Sequence, residues 1–144
     1  MPLPYAIAFE PAARRRGRAP GTGNVIFQKF VSAFTNSMFV TSRITQTLRP
    51  YWGVYAASKA ALEALVVVYA GEIARTMVRA NLISPGPLRT HMRAQAMPGE
   101  DPTTLQPPAA LAPDIVRMLS PDFVENGVLF DFARGETKQL GGDR

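Results

Sequence analysis

Residues 51–61 read Tyr-Trp-Gly-Val-Tyr-Ala-Ala-Ser-Lys-Ala-Ala and open a long helical pattern. This stretch places Tyr55 and Lys59 four residues apart, which on a helix is about one turn along the same face. A phenol in water titrates near pH ~10, so it is a poor proton donor or acceptor at neutral pH. A cation held beside a phenol favours the ionised form and lowers that pKa. The pair therefore predicts a tyrosine that serves as a general acid or base.

The segments on both sides of this pattern predict two strands of a parallel sheet. Residues 36–42 carry a continuous apolar run, and residues 78–84 form a second buried segment. Continuous rather than alternating runs are typical of parallel strands that are covered on both faces. Between them we predict one helix over residues 55–77, with apolar side chains at three- and four-residue steps: Leu62, Leu65, Val66, Tyr69 and Ile73. The strand–helix–strand order is that of a right-handed crossover and indicates an α/β fold.

The remaining segments are assigned from their Pro, Gly and apolar positions. They predict a loop over residues 43–53, a short helix over 89–95, a loop over 97–108, an amphipathic helix over 109–119 and a last strand over 128–132. The tail from Gly135 is expected to be frayed. In the first loop, Tyr51 and Trp52 either form a wall of a substrate cleft or pack over the start of the long helix.

Three sequence elements together resemble the short-chain dehydrogenases/reductases. That family places Tyr-x-x-x-Lys at the head of a helix, usually as Y-x-A-S-K-A-A, which matches residues 55–61 of this chain. Its third catalytic residue is a serine thirteen residues before the tyrosine, and here that position is Ser42. Its next strand ends in N-x-x-x-P-G-x-x-x-T, which matches residues 81–90 from Asn81 to Thr90. The match is specific because all three elements occur in the right order and spacing.

The resemblance implies an NAD(P)-dependent oxidoreductase that interconverts a small-molecule carbonyl and an alcohol by hydride transfer. Tyr55 would exchange a proton with the carbonyl oxygen, and Ser42 would hydrogen-bond that oxygen and fix its direction. Lys59 would lower the pKa of the phenol and hold the ribose of the cofactor. The cofactor, NAD or NADP, is expected to contact six residues in all: Tyr55, Lys59, Pro85, Gly86, Leu88 and Thr90.

The resemblance covers about residues 37–135, which correspond to the C-terminal half of a family member. It implies part of a Rossmann-like, doubly wound parallel sheet with flanking helices. We therefore divide the chain into a basic, Pro/Gly/Arg-rich segment over residues 1–36 and a half-domain over residues 37–144. The family parts that hold the pyrophosphate and select NAD or NADP have no match, so we expect a truncated oxidoreductase. The alternative is a catalytically silent half-domain that acts as a dimerisation or interaction module.

A partner surface is expected on the helix over residues 55–77. One face of this helix is lined by alanines, and in the family that face packs against a second subunit: Ala56, Ala57, Ala60, Ala61 and Ala64. The resemblance thus implies a homo-oligomer through this helix. Close packing of the same alanines on the sheet of their own chain is an equally consistent interpretation.

Charge and composition limit the other classes of function. The net charge is +5, and residues 1–36 hold five of the 16 basic residues but one of the 11 acidic residues. An arginine-rich run of this kind can bind nucleic acid. No aromatic residue alternates with these arginines, so we interpret the segment as a solvated arm and do not expect a nucleic-acid partner. Within it, Gly21-Thr22-Gly23-Asn24 lacks the preceding strand and third glycine of a phosphate-binding loop, and residues 24–34 form a plausible helix.

Metal and membrane binding are not expected. The chain has no cysteine and one histidine, His91, so no metal site is predicted. The longest apolar run, residues 64–70, is far too short to cross a bilayer, and the first ten residues do not have the order of a signal peptide. The sequence therefore predicts a cytoplasmic protein.

Overall fold

The computed structural model describes residues 36–141 of the chain. The phosphate-loop candidate, the helix over residues 24–34 and nearly all of the basic segment lie outside the described residues. Four strands and four α-helices follow in the order β1 (Asn36–Val40), α1 (Ile44–Thr47), α2 (Gly53–Glu72), β2 (Arg79–Ser84), α3 (His91–Ala96), α4 (Ala112–Leu119), β3 (Val128–Asp131) and β4 (Glu136–Gln139). Two short 3₁₀ turns, Pro102–Thr104 and Pro108–Leu111, lie between α3 and α4.

The four strands form one sheet in the order β1-β2-β3-β4. β1, β2 and β3 are parallel, with Val40 opposite Ile83 and Ser84 opposite Asp131. The long connection between β1 and β2 contains α2, which packs on the sheet as a crossover helix. This arrangement confirms the predicted α/β fold with a parallel sheet and flanking helices.

Two apolar clusters cover the two faces of the sheet. Successive residues of a strand point to opposite faces, so Leu82 joins one cluster and Ile83 the other. The cluster beneath α2 contains Val66, Ala70, Ile73, Ala80, Leu82 and Leu129. The opposite cluster contains Ile83, Leu88, Leu111, Met118, Phe123, Val128 and Phe130. The apolar run over residues 78–84 thus corresponds to a strand that is buried on both sides, whereas β1 is only half-buried and its last residue, Val40, is exposed, so the prediction of full cover is wrong for β1.

The expectation of a frayed tail from Gly135 is wrong for residues 135–141, and residues 142–144 lie outside the described residues. Gly135 adopts a φ of +66° in a tight turn, and β4 then pairs antiparallel with β3. Beyond β4, Leu140 donates its backbone N–H to Gly127 and packs against the cluster beneath α2. All four residues of β4 are exposed and polar, so this strand is defined by backbone pairing and has no apolar pattern to reveal it.

Several boundaries also differ from the prediction. The segment predicted as a loop over residues 43–53 contains the short helix α1. Helix α2 begins at Gly53 and ends at Glu72, whereas the prediction ran to residue 77. Just beyond the end of the helix, the hydroxyl of Thr76 donates to the carbonyl of Ile73 at 2.7 Å and closes a turn.

Helix α2 is long enough and apolar enough to cross a membrane, since an 18-residue window within it has a mean hydropathy of 1.3. Only 17% of that window is buried inside the described part of the chain. A core helix of a protein that crosses no membrane passes the same test, so this finding is weak evidence. The absence of a membrane partner stays a prediction.

Candidate active site

The predicted catalytic residues lie around one edge of the sheet. β1, β2 and β3 are parallel, so their carboxyl ends meet at the same edge. Ser42 follows the end of β1, and Pro85 and Gly86 follow the end of β2. The first turns of α2 carry Tyr55 and Lys59 back to this edge. Ligands of open α/β sheets bind outside the carboxyl ends of the strands, so the topology places these residues where such a site forms.

Tyr55 and Lys59 are neighbours on the first turns of α2. The Nζ of Lys59 lies 5.9 Å from the centre of the Tyr55 ring. The same Nζ donates a hydrogen bond to the backbone carbonyl of Val40 at 3.1 Å. The ring of Trp52 meets the Tyr55 ring edge-on, with 5.8 Å between the ring centres. Lys59 is thus fixed to the last residue of β1, and Tyr55 is held between Lys59 and Trp52.

The ring of Trp52 contacts Tyr55 at the helix start, which is compatible with both interpretations, a cleft wall and packing over the helix. Tyr51 is fully exposed and has a φ of +69°, a conformation that side-chain-bearing residues rarely adopt. The two adjacent aromatic residues therefore have different environments.

Ser42 lies two residues beyond the carbonyl that Lys59 binds. Its Oγ accepts a hydrogen bond from the backbone N–H of Ile44 at 3.3 Å, at the start of α1. The structure gives no direct hydrogen bond between Ser42 and either Tyr55 or Lys59 within residues 36–141. The hydroxyl hydrogen of Ser42 has no recorded acceptor in that range, so it is available to a bound oxygen.

The sequence interpretation missed Glu63, which contacts the turn that carries Ser42. Its Oε1 accepts hydrogen bonds from Thr41 Oγ1 at 2.6 Å and from Thr45 Oγ1 at 3.0 Å. Glu63 lies four residues after Lys59, on the same face of α2. The available signal was a single carboxylate on an otherwise apolar helical stretch, one turn beyond the predicted lysine.

Gly86 is required by the backbone and by its neighbour across the sheet edge. Its φ is +71°, and a Cβ built on it would lie 2.8 Å from the Cβ of Ala133 in the turn between β3 and β4. The sequence interpretation placed Gly86 among the residues that contact the cofactor. The structure adds an internal reason, because Ala133 already occupies the space beside Gly86.

Leu88 and Thr90 continue this segment in two different ways. The side chain of Leu88 is buried in the apolar cluster opposite α2, which leaves only its backbone for a ligand. Thr90 caps α3, and its Oγ1 accepts from the backbone N–H of Arg93 at 3.1 Å. The hydroxyl hydrogen of Thr90 has no recorded acceptor among residues 36–141. Thr90 can therefore donate to a ligand while it caps the helix.

A cleft of about 400 Å³ lies next to Thr90, between α3 and the following loop. Across it Arg93 donates to both carboxylate oxygens of Glu100, at 2.6 and 2.7 Å. These hydrogen bonds hold the pKa of Glu100 below its ordinary value and raise that of Arg93. Ser42, Tyr55 and Lys59 do not line this cleft. Of the predicted site residues, Thr90 alone lines this cleft within the described residues.

Three buried polar atoms lie near the same sheet edge without a hydrogen-bond partner in the described residues. They are Ser84 Oγ at the end of β2, Asp131 Oδ1 at the end of β3 and Arg43 Nε just after β1. The other carboxylate oxygen of Asp131 lies 3.6 Å from the Nε of Arg43. No group of three or more His, Asp or Glu side chains within residues 36–141 is arranged to hold a metal ion.

Comparison with known proteins assigns the chain to a family. Residues 28–131 match a family model described as enoyl-(acyl carrier protein) reductase. Over 99 residues the chain is 39% identical to the Escherichia coli K12 protein named uncharacterized oxidoreductase YciK, covering 68% of this chain and 39% of that protein. Over 76 residues it is 40% identical to an Arabidopsis thaliana protein named NADPH-dependent aldehyde reductase-like protein, chloroplastic, covering 53% of this chain and 27% of that one.

Solved structures give the same result. A short chain dehydrogenase from Salmonella enterica serovar Typhi CT18 has a TM-score of 0.64 and 37% identity, covering 67% of this chain and 42% of that one. A short chain dehydrogenase from Escherichia coli CFT073, complexed with NADPH, has a TM-score of 0.62 and 38% identity, covering 66% of this chain and 40% of that one. The chain spans about two fifths of the length of these structures and of the E. coli relative. By its sequence and its fold, the chain belongs to the short-chain dehydrogenase/reductase family.

Proposed function

We propose that this chain carries the proton-transfer group of an NAD(P)-dependent oxidoreductase that interconverts a carbonyl and an alcohol. The observation that supports this proposal most directly is the arrangement of Tyr55, Lys59 and Ser42. Lys59 lies beside the Tyr55 ring and is bonded to the end of β1, two residues before Ser42. The three side chains are thus linked to one edge of the sheet by α2 and β1.

Each of these residues has a hydrogen-bonding capacity that suits its proposed role. The Tyr55 hydroxyl is accessible and would exchange the proton of the substrate oxygen, since the residue is 37% exposed. The free hydroxyl hydrogen of Ser42 would donate to the same oxygen and fix its direction. Lys59 has three N–H donors, of which Val40 takes one, so two remain for ribose hydroxyls.

The residues present fit a dinucleotide on its nicotinamide side. The backbone of Leu88 and the free hydroxyl hydrogen of Thr90 would donate to it or accept from it, and Pro85 and Gly86 shape the chain beneath it. When bound, the cofactor supplies or accepts the hydride. We propose NADP(H) as the first cofactor to test, because two relatives are named NADPH-dependent and two similar structures are complexed with NADPH or NADP.

The test is a titration of the purified chain with NADPH and with NADH, followed by the fluorescence of Trp52. This residue is the only tryptophan of the chain, and its ring contacts Tyr55. We expect saturable quenching by NADPH, weakened in Lys59→Ala because two ribose donors are lost. Turnover of a carbonyl substrate should fall in Tyr55→Phe, which keeps the ring but removes the proton.

Tyr69→Phe is a matched control for Tyr55→Phe, since Tyr69 lies on the same helix and is 41% exposed. It should bind and turn over as the unchanged chain does. If a folded sample shows no quenching by either nucleotide up to millimolar concentration, the proposal is wrong for this chain.

The second candidate function is an interaction module in which α2 packs against a second copy of the chain. Several large apolar side chains of α2 are exposed: Val54, Leu65, Val68 and Tyr69. A groove of about 300 Å³ runs beside the small residues at the start of the helix, between Gly53, Ala56, Ala57 and Ala60 and the preceding Leu48 and Arg49. Small residues along a helix allow a second backbone to approach closely, which supports a homo-oligomer through this face.

Light scattering tests this second candidate. The chain should run as a dimer, and Leu65→Glu should make it a monomer because a carboxylate would be buried in the interface. Val116→Glu is the control, since Val116 on α4 is exposed to the same degree, 68% against 69% for Leu65. A monomeric unchanged chain would contradict the interaction module and leave the proposed oxidoreductase standing.

Location in the cell belongs to the same proposal. We propose a cytoplasmic location. Two of the relatives, both from Arabidopsis thaliana, are named as chloroplastic, so relatives of this family occur in more than one compartment. Microscopy of a fluorescently tagged chain tests the location, and an organellar signal would contradict it.

A further inference from the structure

We propose that Glu63 is a positioning residue that holds the turn carrying Ser42 in a fixed orientation toward Tyr55 and Lys59. The inference rests on the proposed oxidoreductase function, because it assigns Glu63 a role through Ser42. It concerns a carboxylate that the sequence interpretation did not include in the site. Two hydrogen bonds, one on each side of Ser42, carry this inference.

One oxygen of Glu63 binds the chain both before and after Ser42. Oε1 accepts from Thr41 Oγ1 at 2.6 Å and from Thr45 Oγ1 at 3.0 Å. Hydrogen bonds to a charged acceptor are shorter and stronger than those between neutral groups, and the shorter of these contacts fits that rule. Ser42, which the proposed reaction needs, lies between these two threonines.

Hydrogen bonds among residues 42–45 also hold this turn. The single hydroxyl hydrogen of Thr45 is shared between Glu63 and the backbone carbonyl of Ser42, which lies 3.1 Å from Thr45 Oγ1. Ser42 Oγ accepts from the backbone N–H of Ile44. Loss of Glu63 would leave the Thr45 hydroxyl bonded to Ser42 alone and would remove the contact that ties this side of the turn to α2.

Helix α2 holds the end of β1 at two successive residues. Lys59 binds the carbonyl of Val40, and Glu63, one turn further along the helix, binds the hydroxyl of Thr41. The two contacts fix the relation between the helix that carries Tyr55 and the chain that leads to Ser42. Correct mutual placement of reacting groups contributes strongly to catalysis, so a small displacement here is expected to slow turnover.

A simpler interpretation is that Glu63 only satisfies the buried hydroxyl of Thr41, which is 2% exposed. That interpretation explains one of the two hydrogen bonds. Thr45 is only partly buried, and water could satisfy its hydroxyl. A positioning role requires the second hydrogen bond, from Thr45 on the other side of Ser42. A role limited to Thr41 does not require it.

The first experiment measures amide hydrogen exchange in the unchanged chain, in Glu63→Leu and in Glu63→Gln. Leucine removes both hydrogen bonds, and glutamine keeps a neutral oxygen acceptor of similar shape. We expect exchange at Ile44 and Leu48 to be about tenfold faster or more in Glu63→Leu, with partial rescue in Glu63→Gln. Exchange in β3 should not change. Glu72→Gln is the control, because Glu72 is exposed at the end of the same helix.

Thr45→Val covers the case in which Glu63→Leu does not fold. It removes both hydrogen bonds of the Thr45 hydroxyl, to Glu63 and to the carbonyl of Ser42, leaves that of Thr41 intact and nearly preserves side-chain volume. It should give the same faster exchange at Ile44 and Leu48. Unchanged exchange at these amides in Thr45→Val, or in a folded Glu63→Leu, would overturn the proposal.

The second experiment separates turnover from binding. With NADPH and a carbonyl substrate, Glu63→Leu should lower kcat by about ten- to a hundredfold while KM and NADPH quenching stay within about twofold. An equal loss in Glu72→Gln, or an unchanged kcat in Glu63→Leu, would overturn the positioning role. If the unchanged chain neither binds NADPH nor turns over, the proposed function fails, and the exchange measurement alone decides whether Glu63 fixes the turn.

Discussion

Gly86 shows how one residue near the site is fixed by backbone geometry and by packing. Its φ of +71° is strained for any residue with a Cβ, and the added atom would meet Ala133 at 2.8 Å. We expect Gly86→Ala to lower the free energy of unfolding by about 1–3 kcal/mol. Urea denaturation measures this change. Gly99→Ala is the control, since no atom lies within 4 Å of its added Cβ and no positive φ is recorded there.

Asn126 joins strand β2 to helix α2 through its side-chain amide. Its Oδ1 accepts from the backbone N–H of Ala80 in β2 at 3.0 Å, and its Nδ2 donates to the carbonyl of Ala70 in α2 at 2.8 Å. Asn126→Ala leaves both part-buried backbone groups without this partner, so we expect a loss of about 2–3 kcal/mol in unfolding free energy. Urea denaturation of Gln95→Ala, at an exposed position, gives the reference. A loss below about 0.5 kcal/mol in Asn126→Ala would show that water replaces the amide at both contacts.

At the scale of elements, apolar patterns predict β1, β2, β3 and α2, because each buries a face against a neighbour. The same reasoning cannot find β4, whose four exposed polar residues are held by pairing with β3.

The candidate site also contains residues that local sequence patterns predict and one that they miss. Tyr55 and Lys59 are predicted because their spacing is local, and Lys59 does lie beside the Tyr55 ring. Glu63 bonds to residues 22 and 18 positions away, and no local spacing in the sequence marks that contact.

The loop after α3 is held by the ion pair of Arg93 and Glu100, which makes its order depend on pH. The pKa of Glu100 is lowered from 4.5 in the folded chain because Arg93 donates to both its oxygens. The ion pair therefore stabilises the loop fully above pH 4.5, and this contribution is lost as pH falls through the lower folded value. Since the pair is at the surface, we expect a small effect confined to residues 97–105.

Limited proteolysis measures this change, with an acid-active protease at low pH and a neutral protease at pH 7, and the variant is compared with the unchanged chain at the same pH. Cleavage within residues 97–105 should increase as the pH falls below the ordinary range of a glutamate. In Glu100→Gln the cleavage rate should already be high at pH 7, and it should not rise further from loss of this pair. The same pH response in Glu100→Gln as in the unchanged chain would mean that another group controls the loop.

At the scale of the whole molecule, the sheet joins the two apolar clusters into one folding unit. Leu82 and Ile83 are adjacent in β2, both are nearly fully buried, and they belong to opposite clusters. Since β2 lies between β1 and β3, neither cluster can lose its packing without disturbing the backbone that carries the other. The two faces should therefore unfold together.

Leu82→Ala and Ile83→Ala test this cooperativity. Each removes apolar volume from a closed cluster, so we expect each to lower the unfolding free energy by about 2–5 kcal/mol. Unfolding followed by Trp52 fluorescence and by far-ultraviolet circular dichroism should show one coincident transition in both variants. Thr137→Ala, on the exposed strand β4, should change the free energy by less than about 0.5 kcal/mol. Two separate transitions in either core variant would show that the two faces of the sheet unfold independently. The contacts between α2 and β1 would then have to hold the candidate site together without support from the opposite cluster.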